Sequence, residues 1–279
     1  MIALYHEVSR ACSALLTRRY STSFSSAIRL LHTELRAPIC GIYGFVRVAD
    51  EIVDTFHDWD KQLLLSEFTE DTWKALDRGL STNPVLHSFA EVVRRYNIPK
   101  NLIEAFLHSM ALDLHKSDYI SSSELDEYIY GSAEVVGLMC LCVFVDGDMK
   151  QYEALKDSAR RLGAAFQKVN FLRDLQADFE NLNRSYFPGL DVRRFDADAK
   201  ARIEADIESD FDAALEGVRR LPLKARFGVY TAYRYYAALF RKIRKMAPHK
   251  VLEQRIRVPD ASKLMIVARA GFQHRLGMI

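Results

Sequence analysis

Two groups of oxygen-bearing side chains could do chemistry in this sequence. The first is Arg47-Val-Ala-Asp50-Glu51-Ile-Val-Asp54, which follows an apolar stretch from Ile39 to Val48. Asp50 and Asp54 are four residues apart, so a helix sets them on one face, with Arg47 on the same side. The second is Gln167-Lys-Val-Asn170-Phe-Leu-Arg173-Asp174-Leu-Gln-Ala-Asp178. Here Asn170, Asp174 and Asp178 follow at successive i, i+4 steps, and Gln167 extends the stripe by a further turn. Like charges at this spacing destabilise a helix, and a cation between them removes the penalty. Oxygen-only donors suit a hard ion, and Mg²⁺ usually takes one or two carboxylates together with substrate phosphates. Two such stripes facing each other could hold several Mg²⁺ ions around a diphosphate and neutralise a departing pyrophosphate. Mn²⁺ is the alternative ion.

One Asp-x-x-x-Asp pair on a helix is ordinarily solvated surface. These two keep apolar company: Phe45, Val46, Val48, Ile52 and Val53 around the first, Val169, Phe171 and Leu172 around the second. Carboxylates in such surroundings are costly unless paired or metal-bound. The eight histidines show no metal-ligand spacing and read as structural or surface groups.

The elements that must position these groups are helical. Period-3.6 patterning predicts helices at 2–18, 21–32, 36–57, 60–79, 84–96, 99–117, 123–147, 149–181, 194–219, 222–246 and 260–275, while alternating strand patterns are nearly absent. Pro38 and Pro99 are expected in first turns, where a missing N–H costs nothing. Ser123, followed by Glu124-Leu125-Asp126, reads as an N-cap, and Pro188 forbids continuation of the longest helix. No repeat or linker interrupts the pattern, so residues 1–279 read as one all-α domain.

Bulk properties are consistent with this. The chain has 279 residues, 49% hydrophobic and 27% charged, and its net charge of +2 gives no reason to expect nucleic acid. Cys12, Cys40, Cys140 and Cys142 form no C-x-x-C pair, which fits a reducing cytoplasm. His6, Glu7 and Arg10 interrupt the apolar N-terminus, so no signal peptide is expected. The longest apolar run, Val135 to Val145, falls short of the ~20 residues a membrane span needs. Residues 217–257 hold twelve Lys/Arg and one acid, Glu253. They form either a solvated basic face or a wall toward anionic ligands and lipid headgroups. Peripheral, salt-sensitive contact with an anionic membrane, at its inner face, is therefore expected.

The ordered motifs resemble the phytoene/squalene synthase family nearly end to end. Tyr20-Ser-Thr-Ser23-Phe24 is similar to the family's N-terminal Ser-Phe element, and Ile42-Tyr43-Gly-Phe-Val-Arg47 through Asp54 to its first aspartate motif. Tyr128-Ile-Tyr-Gly131 through Gly137 resembles its tyrosine-glycine segment. Leu162 through Asp178, completed by Arg184-Ser-Tyr186-Phe-Pro188, resembles its second aspartate motif. The closest wording is that of the bacterial phytoene synthase branch.

That resemblance implies an isoprenoid-synthase helical bundle around a central cavity, condensing two allylic prenyl diphosphates head to head. It implies that Asp50, Asp54, Asn170, Asp174 and Asp178 hold Mg²⁺ and diphosphate. Arg47, Gln167, Arg173, Tyr236 and Arg255 would contact diphosphate, and Ser23 would help seat it. Tyr128 would face the carbocation or assist proton transfer. Phe24, Ile28, Tyr43, Val136 and Gly137 would line prenyl channels. Each has a plainer reading: Tyr128, Phe24, Ile28 and Tyr43 as core, Gly137 as a close-packing position, and Tyr236 and Arg255 as surface. Two departures stand out. Tyr20 occupies a position where some relatives carry His. Glu134 stands where many carry Gly, and is expected to face another helix and pair with a basic residue.

Geranylgeranyl diphosphate and a phytoene product are expected. Squalene or dehydrosqualene synthesis from farnesyl diphosphate is the alternative, and a non-catalytic assembly factor the third reading. NADPH is not expected, since no G-x-G-x-x-G occurs; separately, no anchor of the kind eukaryotic squalene synthases carry is expected after Ile279. Oligomeric state is left open.

Overall fold

The computed structural model describes residues 1–115, 121–182, 187, 195–253, 256, 258–275 and 279; for 177–182, 260–261 and 274–275 only the backbone is described. Every regular element among the described residues is helical. The order is α1 (Ile2–Tyr20), α2 (Thr22–Arg29), α3 (Thr33–Asp54), α4 (Lys61–Arg78), α5 (Pro84–Arg95), α6 (Lys100–Asp113) and α7 (Ser122–Ile129). A π turn (Tyr130–Glu134) leads into α8 (Val135–Phe144), α9 (Met149–Leu182), α10 (Ala197–Arg220), α11 (Leu223–Arg244), α12 (Pro248–Val251) and α13 (Asp260–Arg275).

Caps explain many boundaries. Asp60 accepts from Leu63 N–H at 2.9 Å to start α4, and Gly79 ends it in the left-handed region at φ 71°. Asn83 accepts from Val85 N–H at 3.0 Å, with Pro84 at the first position of α5. Asp146 and Gly147 both adopt positive φ between α8 and α9, and Asp148 caps the latter through Lys150 N–H.

Four expectations need correction. Ser121, not Ser123, caps α7, because only Ser121 stands three residues before Glu124 and closes a reciprocal capping box. Pro38 is inside α3, which begins at Thr33 after His32 donates its N–H to the Lys224 carbonyl at 2.9 Å. Pro99 is the N-cap of α6 rather than a first-turn residue. The predicted helix 123–147 is interrupted by the π turn. Residues 122–144 together are also long and apolar enough to cross a membrane. They serve as a core element instead: Val135, Leu138, Met139, Leu141, Cys142 and Val143 are all buried. Burial pushes the Cys140 and Cys142 thiols up to about 12, so both are inert packing groups.

The core forms around α3. Phe45 is fully buried and stacks on Phe89 at 4.0 Å between centroids, with Phe106 at 5.3 Å and Phe68 at 5.7 Å. α3 packs on α1, α5, α8, α4 and α6, and α9 packs on α10, α8, the π turn and α11. The α9–α10 contact carries an ion network centred on a buried acid and lysine. Asp210, with no exposure, accepts from Lys168 Nζ at 2.7 Å and Arg161 at 2.9 Å, and Asp206 meets the same lysine at 2.6 Å.

Candidate active site

Both carboxylate stripes lie on long helices with apolar backs, and this is why they stay in place. On α3, Phe45, Ala49, Ile52 and Val53 are buried, which leaves Arg47, Asp50 and Asp54 on the remaining face. On α9, Ala165, Val169, Leu172 and Leu175 anchor the core side, while Gln167, Asn170, Arg173 and Asp174 are half-buried on the other.

Asp50 shows the electrostatic cost. Burial first, and the Asp54 carboxylate second, push its carboxyl up to about 7, against the pull of Arg47. Arg47 is ion-paired with Glu51 and lies 4.6 Å over the Tyr20 ring, yet its Nε is buried without a hydrogen-bond partner. A cation-accepting carboxylate beside an unused guanidinium N–H fits a Mg²⁺-diphosphate, which takes both kinds of contact.

Two sets of side chains couple electrostatically to the stripes. One runs through α11. The Tyr236 ring stacks on Phe166 of α9 at 3.9 Å, and its hydroxyl donates to Asn170 Oδ1 at 3.4 Å. Burial raises the Tyr236 hydroxyl pKa, which Arg173 opposes. Tyr43 of α3 lies within electrostatic reach of Arg47, Asp50 and Tyr236; burial is the main cause of its raised pKa. The other set runs through α6 and α7. Tyr128 donates to Asp113 Oδ2 at 3.0 Å and stacks on Phe171 of α9 at 6.1 Å. Asp113 in turn is among the groups that raise the Asp50 pKa. Within the second stripe, Arg173 Nε donates to Asp174 at 3.0 Å.

The remaining predicted residues fall into groups. Phe24 stacks on Tyr43 at 5.1 Å, at the start of α2, where Ser21 caps Phe24 N–H and also hydrogen-bonds the Tyr43 side chain. Ser23 is half-buried in the same first turn. Ile28 is buried in the core, and Val136 is half-buried against it. A Cβ on Gly137 would lie 3.2 Å from the Ala159 carbonyl of α9, which is the close-packing role. Asp178 belongs to α9, but its side chain lies outside the described residues, as do Arg255, Arg184, Tyr186 and Pro188 entirely.

The π turn is wedged between α6 and α9. A Cβ on Gly131 would meet Ser109 Cβ at 2.6 Å, and one on Gly163 would meet the Ala133 carbonyl at 2.8 Å. Such turns recur at functional sites, and this one sets Tyr128 and Val136 on either side of it. Glu134 faces α9 as expected, pairing with Arg160 Nε at 2.6 Å, while the Arg160 guanidinium covers the Tyr130 ring at 5.3 Å. Burial raises the Glu134 pKa, and the Arg160 hydrogen bond opposes it.

Sequence reasoning missed Asp113. Its signal was an acid at the end of the buried Phe106–Met110 face of α6, visible only once that face is known.

The family model for squalene/phytoene synthase matches residues 17–262. A phytoene synthase of Rhodobacter capsulatus is 30% identical over 275 residues, covering 91% of this chain and 78% of that protein. A 15-cis-phytoene synthase of a Paracoccus species is 27% identical over 277 residues, covering 90% and 87%. Among solved structures, a dehydrosqualene synthase in complex with a ligand aligns with TM-score 0.85 at 19% identity, over 97% of this chain and 98% of that one. The squalene synthase HpnC of Alicyclobacillus acidocaldarius aligns with TM-score 0.76 at 20% identity, over 87% and 95%. The structural matches establish the all-α isoprenoid-synthase fold.

Proposed function

The chain belongs to the squalene/phytoene synthase family, and on that premise we propose that it is a prenyltransferase of carotenoid biosynthesis that joins two geranylgeranyl diphosphates head to head to give phytoene. The observation that best supports this reading is the electrostatic coupling around the two stripes, Tyr43 with Asp50 and Tyr236 on one side and Asp113 with Asp50 and hydrogen-bonded Tyr128 on the other. Phytoene synthase is the name borne by the relatives that match most of the chain.

Asp50, Asp54, Asn170, Asp174 and Asp178 would hold the Mg²⁺ ions, which when bound neutralise the diphosphate as it leaves. Arg47 Nε, buried and unpartnered, would donate to a diphosphate oxygen. The α2 N-terminus at Ser23 would add backbone donors on the same side. Tyr236 would keep Asn170 oriented through its hydrogen bond. In this sequence of steps the first substrate ionises at C1, and the double bond of the second captures the cation. Proton loss then closes a cyclopropylcarbinyl diphosphate. That intermediate ionises in turn, rearranges to a 1–1′ bond and loses a proton, with two diphosphates released in all. Tyr128, clamped to Asp113, is the group suited to guide a proton or steady the cation. No reductant enters these steps, so NADPH is not required.

Squalene or dehydrosqualene formation from farnesyl diphosphate is the second reading, supported by the likeness of the bundle to enzymes bearing those names. The intact aspartates argue against a non-catalytic role. Incubation of the purified protein with Mg²⁺ and either the C20 or the C15 diphosphate separates the three. A C40 hydrocarbon from the C20 substrate is expected. A C30 product alone would overturn the phytoene assignment, and no hydrocarbon from either would overturn the enzyme.

A further inference from the structure

We propose that His6, His87 and Glu91 form a second metal site, suited to Zn²⁺, which clips α1 to α5. The residues come from facing helices. His87 and Glu91 stand at i, i+4 on α5, and His6 lies across from them on α1. His6 Nδ1 is 2.8 Å from His87 Nε2 and 3.0 Å from Glu91 Oε1, and all three ligand atoms lie within 4.8 Å of one another. A tetrahedral ion at ordinary Zn–N and Zn–O lengths sets its ligands roughly 3.3 Å apart, so these atoms need only small shifts. Two imidazoles and one carboxylate favour a borderline transition metal over Mg²⁺. The half-exposed His6 side leaves room for a water as fourth ligand.

Proton counting supports a cation here. With the His87 proton on Nε2, that group donates to His6 Nδ1, whose lone pair then cannot accept it without also facing the Glu91 carboxylate. With a proton on His6 Nδ1 instead, neutral His87 must carry its own on Nδ1, opposite the Ser81 N–H that points there at 3.4 Å. A metal ion engages all three converging lone pairs at once. It replaces the His6–His87 hydrogen bond and requires release of the Ser81 contact, the longest of the set. Arg10 Nε, at 3.3 Å from Glu91 Oε2, can keep that oxygen while Oε1 takes the metal; its Nη2, now 3.0 Å from Oε1, must move aside. His87 is fully buried, a setting that favours the neutral, ligating imidazole.

The clip has a structural purpose. The buried residues of α1 are only Ser9, Ser13 and Thr17, so little apolar burial fastens this helix. Tyr20, which covers Arg47, is at its far end, about 21 Å along the axis from His6. The site is thus independent of the diphosphate chemistry.

Equilibrium dialysis of the full chain against low-micromolar Zn²⁺, with millimolar Mg²⁺ present, tests this. The unaltered protein should retain one more zinc per chain than either His6→Ala or Glu91→Gln. Zn²⁺ should also shield His6 from diethyl pyrocarbonate in the unaltered protein, a readout that needs no variant to fold. Equal zinc in all three proteins would overturn the site. Should a variant lose helicity, the footprint decides: His6 modified equally fast with and without zinc overturns it, and shielding upholds it.

Discussion

Asp50 concentrates the tension between stability and chemistry in a single side chain. Its carboxyl is pushed from an ordinary 3.8 up to about 7 by burial and by Asp54. Between those values the folded chain holds a proton that the unfolded chain has released. In the metal-free protein, stability therefore falls as pH rises through this window, and the loss is complete above about 7. Asp50→Asn escapes that penalty. In chelator, denaturant unfolding should find the variant about 1–3 kcal/mol more stable than the parent at pH 8 and little different at pH 4. The same substitution should abolish turnover. An equal stability difference at both pH values would contradict the burial account. The residues legible in the sequence were those whose meaning is local. Asp50, Asp54, Asn170 and Asp174 announce themselves by i, i+4 spacing within one helix. Asp113 did not, because its partner Tyr128 lies on another helix, and neither did the meeting of His6 with His87, 81 residues apart.

Element boundaries were legible where a cap has a residue signature, as at Asp60, Asn83 and Gly79. The π turn was not. Widening by one residue per turn leaves apolar periodicity almost unchanged across 123–147, and only the packing of Gly131 against α6, and of Gly163 on α9 against Ala133, shows where it falls. The short α12 escaped for want of length. The wedge at Gly131 predicts a contrast between two substitutions. Gly131→Ala would drive a methyl to 2.8 Å from the Ala105 carbonyl and 2.6 Å from Ser109 Cβ. It should cost about 1–3 kcal/mol and depress turnover by shifting Tyr128. Gly271→Ala, whose nearest contact is Phe227 at 3.7 Å, should be neutral or gain up to ~1 kcal/mol in helix propensity. Denaturation midpoints of the two variants check this, and equal effects would refute the wedge.

At the scale of the whole molecule, an all-helical bundle followed from periodicity alone, but which faces meet did not. The Tyr128–Asp113 hydrogen bond and the electrostatic reach of Tyr43 to Tyr236 are tertiary relations, and on them rests the proposal that the two stripes act as one site. The outer surface has its own pattern. Arg219, Arg234 and Arg241 line a cleft with Tyr230 and Tyr233, and beside α11 the helix α13 exposes Leu264, Met265 and Phe272. Basic and apolar groups side by side suit the headgroup region of an anionic bilayer. Sedimentation with anionic vesicles should show binding that weakens as salt rises; binding indifferent to salt would count against this face. The central claim, that the stripes on α3 and α9 act as a single Mg²⁺-diphosphate site, is tested most directly by calorimetric titration with a non-hydrolysable prenyl thiodiphosphate. Binding should require Mg²⁺ and should be lost in both Asp50→Asn and Asp174→Asn. Binding that persists without Mg²⁺, or that survives the loss of either stripe, would contradict it.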